Sequence, residues 1–593
     1  MSMTKLRNKV SRNGFDLSRK NLFTAKVGEL LPVATIECLP DDTFSIDMAW
    51  FTRTQPINTA AYTRMREYYD WYFVPTNLLW DKFNTFVTQM SDNNQKATSI
   101  NGNVKLSTEH PYFTYDQIAN YINDVGVVNL KNYFGFNRAD LSCKLLHYLD
   151  YGDFSPFRAS MPPSTNNAKL NPFPLLAYQK IYQDYFRDSQ WEKAYAPACN
   201  VNYVSGAAGS LNLPISEIDT NNENMFDMRY CNWNKDYFMG LLPSAQYGDA
   251  ASINVSSLPS LIGGADIKFS ITRNDGTAFA SGVDLKTGSA FPSNPSLGIP
   301  ERNAVTADAF TINQYLSYES LQILRQKLGV TASSFTVLAL RQAEAKQKWS
   351  EITQSQQQDY KSQMAAHWDA DVSDAYSDRC KYIGGTAGDV DIQAVTNQNL
   401  TGDNDANIAG RGQGGARGSI NFKAPVHGYL MCIYHCVPLL DYSTDGIKRQ
   451  NLKTSVFDYA IPEFDATGMV SVPLIELSSS WTGTSPETLL GYAPRYIDYK
   501  TGYDLCHGAF FNGGLDKWVA PINRDYIAEY LESLGSTIES GVINYHFFKV
   551  PPSVVNNIFG FDATSESDTD QLLINAGFDI KAVRKLDRNG LPY

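Results

Sequence analysis

The chain has 593 residues, of which 43% are hydrophobic, 13% aromatic and 19% charged, and its formal net charge is −12. That much apolar material excludes a disordered, collagen-like or coiled-coil chain. Thirty-five Tyr and 31 Phe beside so few charges suit large buried subunit contacts, where aromatics are enriched and Lys, Glu and Asp depleted.

The charge is unevenly spread. Residues 1–26 carry seven basic side chains, Lys5, Arg7, Lys9, Arg12, Arg19, Lys20 and Lys26, against Asp16 alone, so this segment is +6 and the rest −18. A basic arm on an acidic body can touch a polyanion locally; read blandly, it is a solvated terminus. After it, Phe44, Ile46, Met48 and Trp50 alternate with polar or small residues, which predicts a half-buried strand. Residues 67–74 are aromatic and β-branched and predict a strand ended by Pro75. Thr76 or Asn77 offers an N-cap to a helix carrying Leu79, Phe83, Phe86 and Met90. Residues 91–170 read as short helices and loops. Leu175, Tyr178, Tyr182, Tyr185 and Phe186 predict an amphipathic helix over 172–193. Residues 249–310, rich in Gly, Ser, Ala, Asn and Thr, read as an inserted, exposed, β-rich excursion. Helical sequence returns at 312–327 and 336–367. Residues 386–419, rich in Gly, Asn and Asp, read as a long loop. Residues 429–437 predict a buried strand ended by Pro438, and 470–477 and 542–550 predict two more. Strands at both ends of the chain, far apart and joined by long connections, predict a β-sandwich or barrel with large insertions.

Motifs for chemistry are sparse. Gly410, Gly412 and Gly415 match G-x-G-x-x-G without the preceding apolar strand and following helix that phosphate cradling requires, so they read as a flexible loop. Cys432, His435 and Cys436 lack a second ligand pair at zinc spacing and read as strand residues. Asp369, Asp371, Asp374 and Asp378 resemble a calcium loop only superficially and read as a turn. There is no H-E-x-x-H, nucleophile elbow or Walker loop. No catalytic, metal or cofactor residue is assigned, and the chain reads as a non-enzyme. Eight scattered cysteines point to a reducing compartment. The absence of an apolar run of membrane length or a secretory h-region points to a cytoplasmic site of synthesis. The rival class is a glycan-binding β-sandwich or a glycoside hydrolase, which would need two carboxylates ~5–9.5 Å apart.

Several blocks, in order along the chain, resemble the major capsid proteins of the Microviridae, small icosahedral single-stranded DNA phages. They are Phe15 to Ser18, Leu39 to Phe44, Tyr69 to Leu79, Ile181 to Asp188, Asp236 to Phe238 with Leu242, Pro243, Gln246 and Gly248, Leu340 to Ala343, Tyr382 to Gly385, His427 to Tyr429, Gly491 to Tyr496 and Asn557 to Gly560. The chain resembles a gokushovirus-like or related gut phage branch, with departures that point to a divergent one: Ser244-Ala245 stands where gokushoviruses have Trp-Pro, and their Gly-Thr-Arg-Tyr string is missing.

The resemblance implies a mainly β fold with α insertions: an eight-stranded viral jelly-roll β-barrel with long inter-strand insertion loops. It implies a basic arm at 1–26 and a single capsid domain at 27–593, with 249–310 as a surface protrusion at the threefold axis and 311–367 as a helical insertion. Sixty copies would form a T=1 shell enclosing circular single-stranded DNA, found in the virion and assembled in the bacterial host cytoplasm. Expected partners are minor or pilot and internal scaffolding proteins and a host surface receptor. Lys5, Arg7, Lys9, Arg12, Arg19 and Lys20 become candidate DNA contacts. The tail residues Lys581, Arg584, Lys585 and Arg588 are a second basic candidate. Trp71 and Tyr237 are either base-stacking aromatics or core.

Overall fold

The computed structural model describes residues 11–89, 109–160, 166–204, 223–251, 337–396, 408–479, 488–530, 543–559 and 570–588, apart from scattered positions within those spans, together with residues 213 and 218 and two short strands, Ile267–Phe269 and Val283–Leu285. Nine strands form one antiparallel sheet. They are β1 (Asn13–Asp16), β2 (Arg19–Ala25), β3 (Leu31–Cys38), β4 (Thr43–Thr54), β5 (Met65–Pro75), β6 (Lys381–Thr396), β7 (Ile408–Lys423), β8 (Gly428–Pro438) and β9 (Leu572–Arg584). β1 and β2 both pair with β9 at one edge, and the order runs β9–β4–β7–β6–β5–β8–β3 to the other.

The sheet curls back on itself. Trp71 of β5 meets Phe578 of β9 edge-on at 6.0 Å, although β6, β7 and β4 lie between them in the sheet. Phe23 of β2 and Tyr434 of β8 meet in the same way at 5.2 Å. The two edges are tied by side chains: Asn21 Nδ2 donates to the Val33 carbonyl at 2.8 Å, and Arg19 donates to that of Thr35 at 3.4 Å. The enclosed core is aromatic, with Phe44, Tyr69, Trp71, Phe73 and Tyr434 fully buried. At its centre Glu67 accepts from Trp50 Nε1 (3.1 Å), Thr52 Oγ1 (2.8 Å) and the Tyr434 hydroxyl (2.8 Å), and burial pushes its carboxyl above the usual range.

The outer face of one half is covered by the insertion between β5 and β6. This layer holds α1 (Tyr115–Val128), started by a Thr114–Gln117 capping box, α2 (Arg138–Tyr148) and α3 (Phe173–Ile181). The Tyr178 hydroxyl donates to the Leu30 carbonyl at 3.0 Å, and Lys144 pairs with Glu29 at 2.7 Å and Asp570 at 3.0 Å. Tyr185 packs on Tyr72 at 4.8 Å, and Phe186 meets His435 edge-on. Arg138 and Asp227 form a buried pair at 2.7 Å within the layer. Beneath it, burial pushes Asp70 up to about 6 and His435 down to about 3. The imidazole is therefore neutral, and its 4.0 Å contact with Asp70 is not an ion pair.

The chain divides into two compact units, one of residues 248–350 and one of the remainder. Within 248–350, the two short strands 267–269 and 283–285 pair antiparallel.

The structure corrects several expectations. The predicted loop at 386–419 is largely strand: β6 and β7 form an antiparallel pair, Val390 opposite Gly414. Its glycines sit where neighbours leave no room for a side chain. A Cβ at Gly412 would collide with Thr54, one at Gly418 with Thr386, and one at Gly415 would lie 2.7 Å from the Trp50 carbonyl. The G-x-G-x-x-G string is thus a close-packed strand and no phosphate cradle. The helix predicted over 172–193 ends at Ile181 and unwinds through a π turn, Tyr182–Phe186, closed by Arg187 N–H on the Tyr182 carbonyl at 2.9 Å. The predicted strand at 542–550 is instead a 3₁₀ turn, Tyr545–Phe548, capped by Asn544. The strand at 470–477 is shorter, Met469–Pro473, and gives way to a 3₁₀ turn at Leu474–Glu476. The helix predicted over 336–367 is two: α4 (Val337–Gln354) and α5 (Tyr360–Trp368), the second capped by Asp359. Thr76 is already helical and Pro75 takes the cap position. The helix predicted at 312–327 lies outside the described residues.

Candidate nucleic-acid interface

The basic N-terminal segment is sheet from Asn13 onward. Asn13 to Asp16 pair with Arg584 to Lys581, and Arg19 to Ala25 pair with Phe578 to Leu572. Phe23 and Ala25 face inward, so burial holds this stretch in the sheet. Lys5, Arg7 and Lys9 lie outside the described residues. Arg12 is described, and with the C-terminal strand it builds a cluster.

The cluster centres on the turn between β3 and β4. Asp41 there has φ 74°, a left-handed conformation that Asp tolerates. Its carboxylate takes three cations from distant parts of the chain: Lys423 Nζ at 2.7 Å, Lys585 Nζ at 2.8 Å, and Arg12. Next to it, buried Asp42 pairs with Arg584 at 3.1 Å, whose Nη2 also donates to the Glu37 carbonyl at 2.7 Å. Four cations face two carboxylates, an excess of two in a chain whose net charge is −12. Lys423 and Lys585 remain largely exposed at 61% and 51%, so their ammonium groups stay open to a competing anion. Further along β9, Lys581 bridges Asp16 and Asp579 at 2.9 Å each; hydrogen bonds from Ser18 and then Lys581 hold Asp16 below its usual range, and those from Lys581 and then Ser18 do the same for Asp579.

Arg19 and Lys20 lie elsewhere, at the start of β2, with Lys20 on the uncovered face and Arg19 at the seam between the two sheet edges. They border an open trough of 840 Å³ with Asp47, Ala49, Arg417 and Gly577. The structure thus splits the predicted contacts: Arg12 joins the tail cations Arg584 and Lys585, while Arg19 and Lys20 join Arg417. Lys423, Arg417 and Asp41 were missed in the sequence. No local pattern marks them, because only sheet pairing brings positions hundreds of residues apart together. Trp71 and Tyr237 are buried, at 0% and 4% exposure, and belong to the packed interior rather than to a base-stacking surface.

The other candidates carry no chemistry. His435 stacks on Tyr68 at 4.8 Å, and burial raises the Cys432 and Cys436 thiols well above their usual range. Asp369 caps α5, and Asp374 pairs with Lys361 at 3.2 Å, so the acidic run is a turn. Among the described residues no group of three or more His, Cys, Asp or Glu is placed to hold a metal, and no helix is long and apolar enough to cross a membrane.

Comparison with known proteins agrees with a structural role. A family model described as "Capsid protein (F protein)" matches residues 4–135 and 154–586. Capsid protein VP1 of Chlamydia phage 1 is 23% identical over 557 residues, 86% of this chain and 86% of that protein. Capsid protein VP1 of Bdellovibrio phage phiMH2K is 22% identical over 592 residues, 98% of this chain and 95% of that protein. The glycoside-hydrolase alternative falls away, since the family's role is to build the coat of the virion. The chain belongs to the phage capsid F protein family, the major capsid proteins of the Microviridae.

Proposed function

We propose that sixty copies of this chain form a T=1 shell around a circular single-stranded DNA genome, and that each copy is a viral jelly roll. The strand order carries this reading. Cutting the sheet between β7 and β6 leaves β2–β9–β4–β7 and β3–β8–β5–β6, two four-stranded halves whose inward faces share one core. That interleaving of early and late strands is the order a jelly roll has, with β1 as an extra edge piece. The curl also removes the exposed strand edges that would otherwise pair at random.

The cation cluster around Asp41 faces the genome on this reading, and Lys5, Arg7 and Lys9 are further DNA contacts. The unit 248–350 is the surface protrusion, wider than the 249–310 suggested by composition; its separation from the rest of the chain supports this. Scaffolding and pilot proteins act during assembly in the host cytoplasm, and the protrusion meets a host surface receptor. Nuclease digestion of purified particles, followed by measurement of protected DNA, tests the enclosure. Deleting residues 1–14 should leave closed shells holding less DNA. Failure to close would mean that the arm crosses to a neighbouring subunit instead. If about six cations pair with phosphates, single-strand affinity should fall with a log–log salt slope near −4.

A further inference from the structure

The connection between β8 and β9, with Tyr237 from the insertion between β5 and β6, builds a cavity. It encloses 410 Å³, within the ~300–1,000 Å³ typical of small-ligand sites. Four tyrosines line it: Tyr237, Tyr459, Tyr499 and Tyr503. Tyr237 and Tyr503 pack together at 5.4 Å, while Tyr459 and Tyr499 are more than half exposed.

Three cations stand among these rings. Lys453 Nζ lies 4.0 Å from the Tyr499 ring centroid and 5.9 Å from that of Tyr459, and it pairs with Asp498. Arg449 lies 3.5 Å from Glu476, its Nη2 donates to the Ser471 carbonyl at 2.6 Å, and its buried Nη1 has no hydrogen-bond partner among the described residues. Lys448 sits 5.7 Å from the Tyr503 centroid and has no carboxylate within ion-pair distance among the described residues. Of the nearby carboxylates, Asp498 holds Lys453, while Glu476 accepts the Tyr237 hydroxyl on Oε2 and faces Arg449 with Oε1, which has no hydrogen-bond partner among the described residues.

We propose that this cavity binds a nucleoside phosphate, with the base against Tyr459 and Tyr499 and the phosphate on Lys448 and Arg449. Exposed tyrosines give a base a stacking platform, and cations with open donors suit a phosphate. Gln450 and Thr501 supply donors and acceptors for a base edge, and Gly502 leaves the entrance open. A neutral sugar also stacks on tyrosine, but it gains nothing from three cations set around one cavity, whereas a phosphate does. The nucleotide is either free or one unit of a single strand. The second source rests on the proposed enclosure of single-stranded DNA.

The test titrates dTMP, d(T)8 and the neutral sugar maltotriose into assembled particles and the purified chain by calorimetry. Wild type is compared with Lys448→Glu and Tyr499→Leu. The expected result is nucleotide binding weakened about tenfold by Lys448→Glu, the scale of one charge-assisted contact, and also weakened by Tyr499→Leu. Tighter binding of d(T)8 than of dTMP assigns the strand, and equal binding assigns the free nucleotide. Lys448 is exposed, so its substitution leaves the fold intact, and particle formation is scored separately. Binding unchanged by Lys448→Glu, or maltotriose binding without nucleotide binding, overturns the proposal. Either outcome with DNA-filled particles still forming would leave the shell reading standing.

Discussion

In β8 all eleven residues from Gly428 to Pro438 are buried, whereas in β4 every second residue from Ser45 to Arg53 is exposed. β9 follows the pattern of β4. The two strands lie in one curled sheet and share one core, so the difference is outside it. The insertion between β5 and β6 covers β8 and β3. Among the described residues nothing comparable covers β2, β9, β4 and β7. Their outer face carries Leu22, Phe51, Leu573 and Val583 exposed beside the charged rows of Lys20, Arg417, Asp47 and Asp579. One half of the sheet is finished by its own chain, and the other is left available to neighbours in an assembly.

The comparison can be broken by substitution. Trp71→Ala removes a fully buried ring on the covered half and should cost about 3–5 kcal/mol, read by denaturant unfolding of the purified chain. An effect below 1 kcal/mol would mean that the half is not packed as described. Asp70, under the same cover, sharpens the point through pH. Its folded pKa is raised from 3.8 to about 6, so the fold favours the protonated form. Its stabilising contribution is complete below about pH 4 and is lost as pH rises through about 6, a total of up to ~3 kcal/mol. Asp70→Asn, neutral throughout, should remove that slope; an unchanged slope would show the carboxyl to be open to water. Gly412→Val places a side chain against Thr54 and should cost ~1–3 kcal/mol by overpacking. On the bare half, Phe51→Ser should change the stability of the chain by less than ~0.5 kcal/mol yet lower the yield of particles. Unfolding and sedimentation of the same preparations separate the two effects.

The contrast also explains what could be read in advance. Phe44, Ile46, Met48 and Trp50 alternate because β4 has one wet face, and that period is visible in sequence. Residues 429–437 form an apolar run because β8 has none, and that too was visible. β6 and β7 were hidden because their glycines answer to Thr54, Thr386 and Trp50, partners far away in the chain. The π turn at Tyr182–Phe186 was hidden for a similar reason. Tyr182 donates its hydroxyl to Glu192, Tyr185 donates to the Cys380 carbonyl, and these bonds override local helix periodicity. The basic termini were legible as composition. Their convergence on Asp41, with Lys423 between them, was not, because the pairing of β1 with β9 and of β7 with β4 creates it.

The central claim is that this chain closes into a shell. Co-expression with the other proteins of its virus, then sedimentation and electron microscopy, tests it most directly. The account predicts closed icosahedral particles near 4 MDa, the mass of sixty chains of 66.2 kDa. A chain that stays monomeric in that company, with no particles at any concentration or salt, would contradict it.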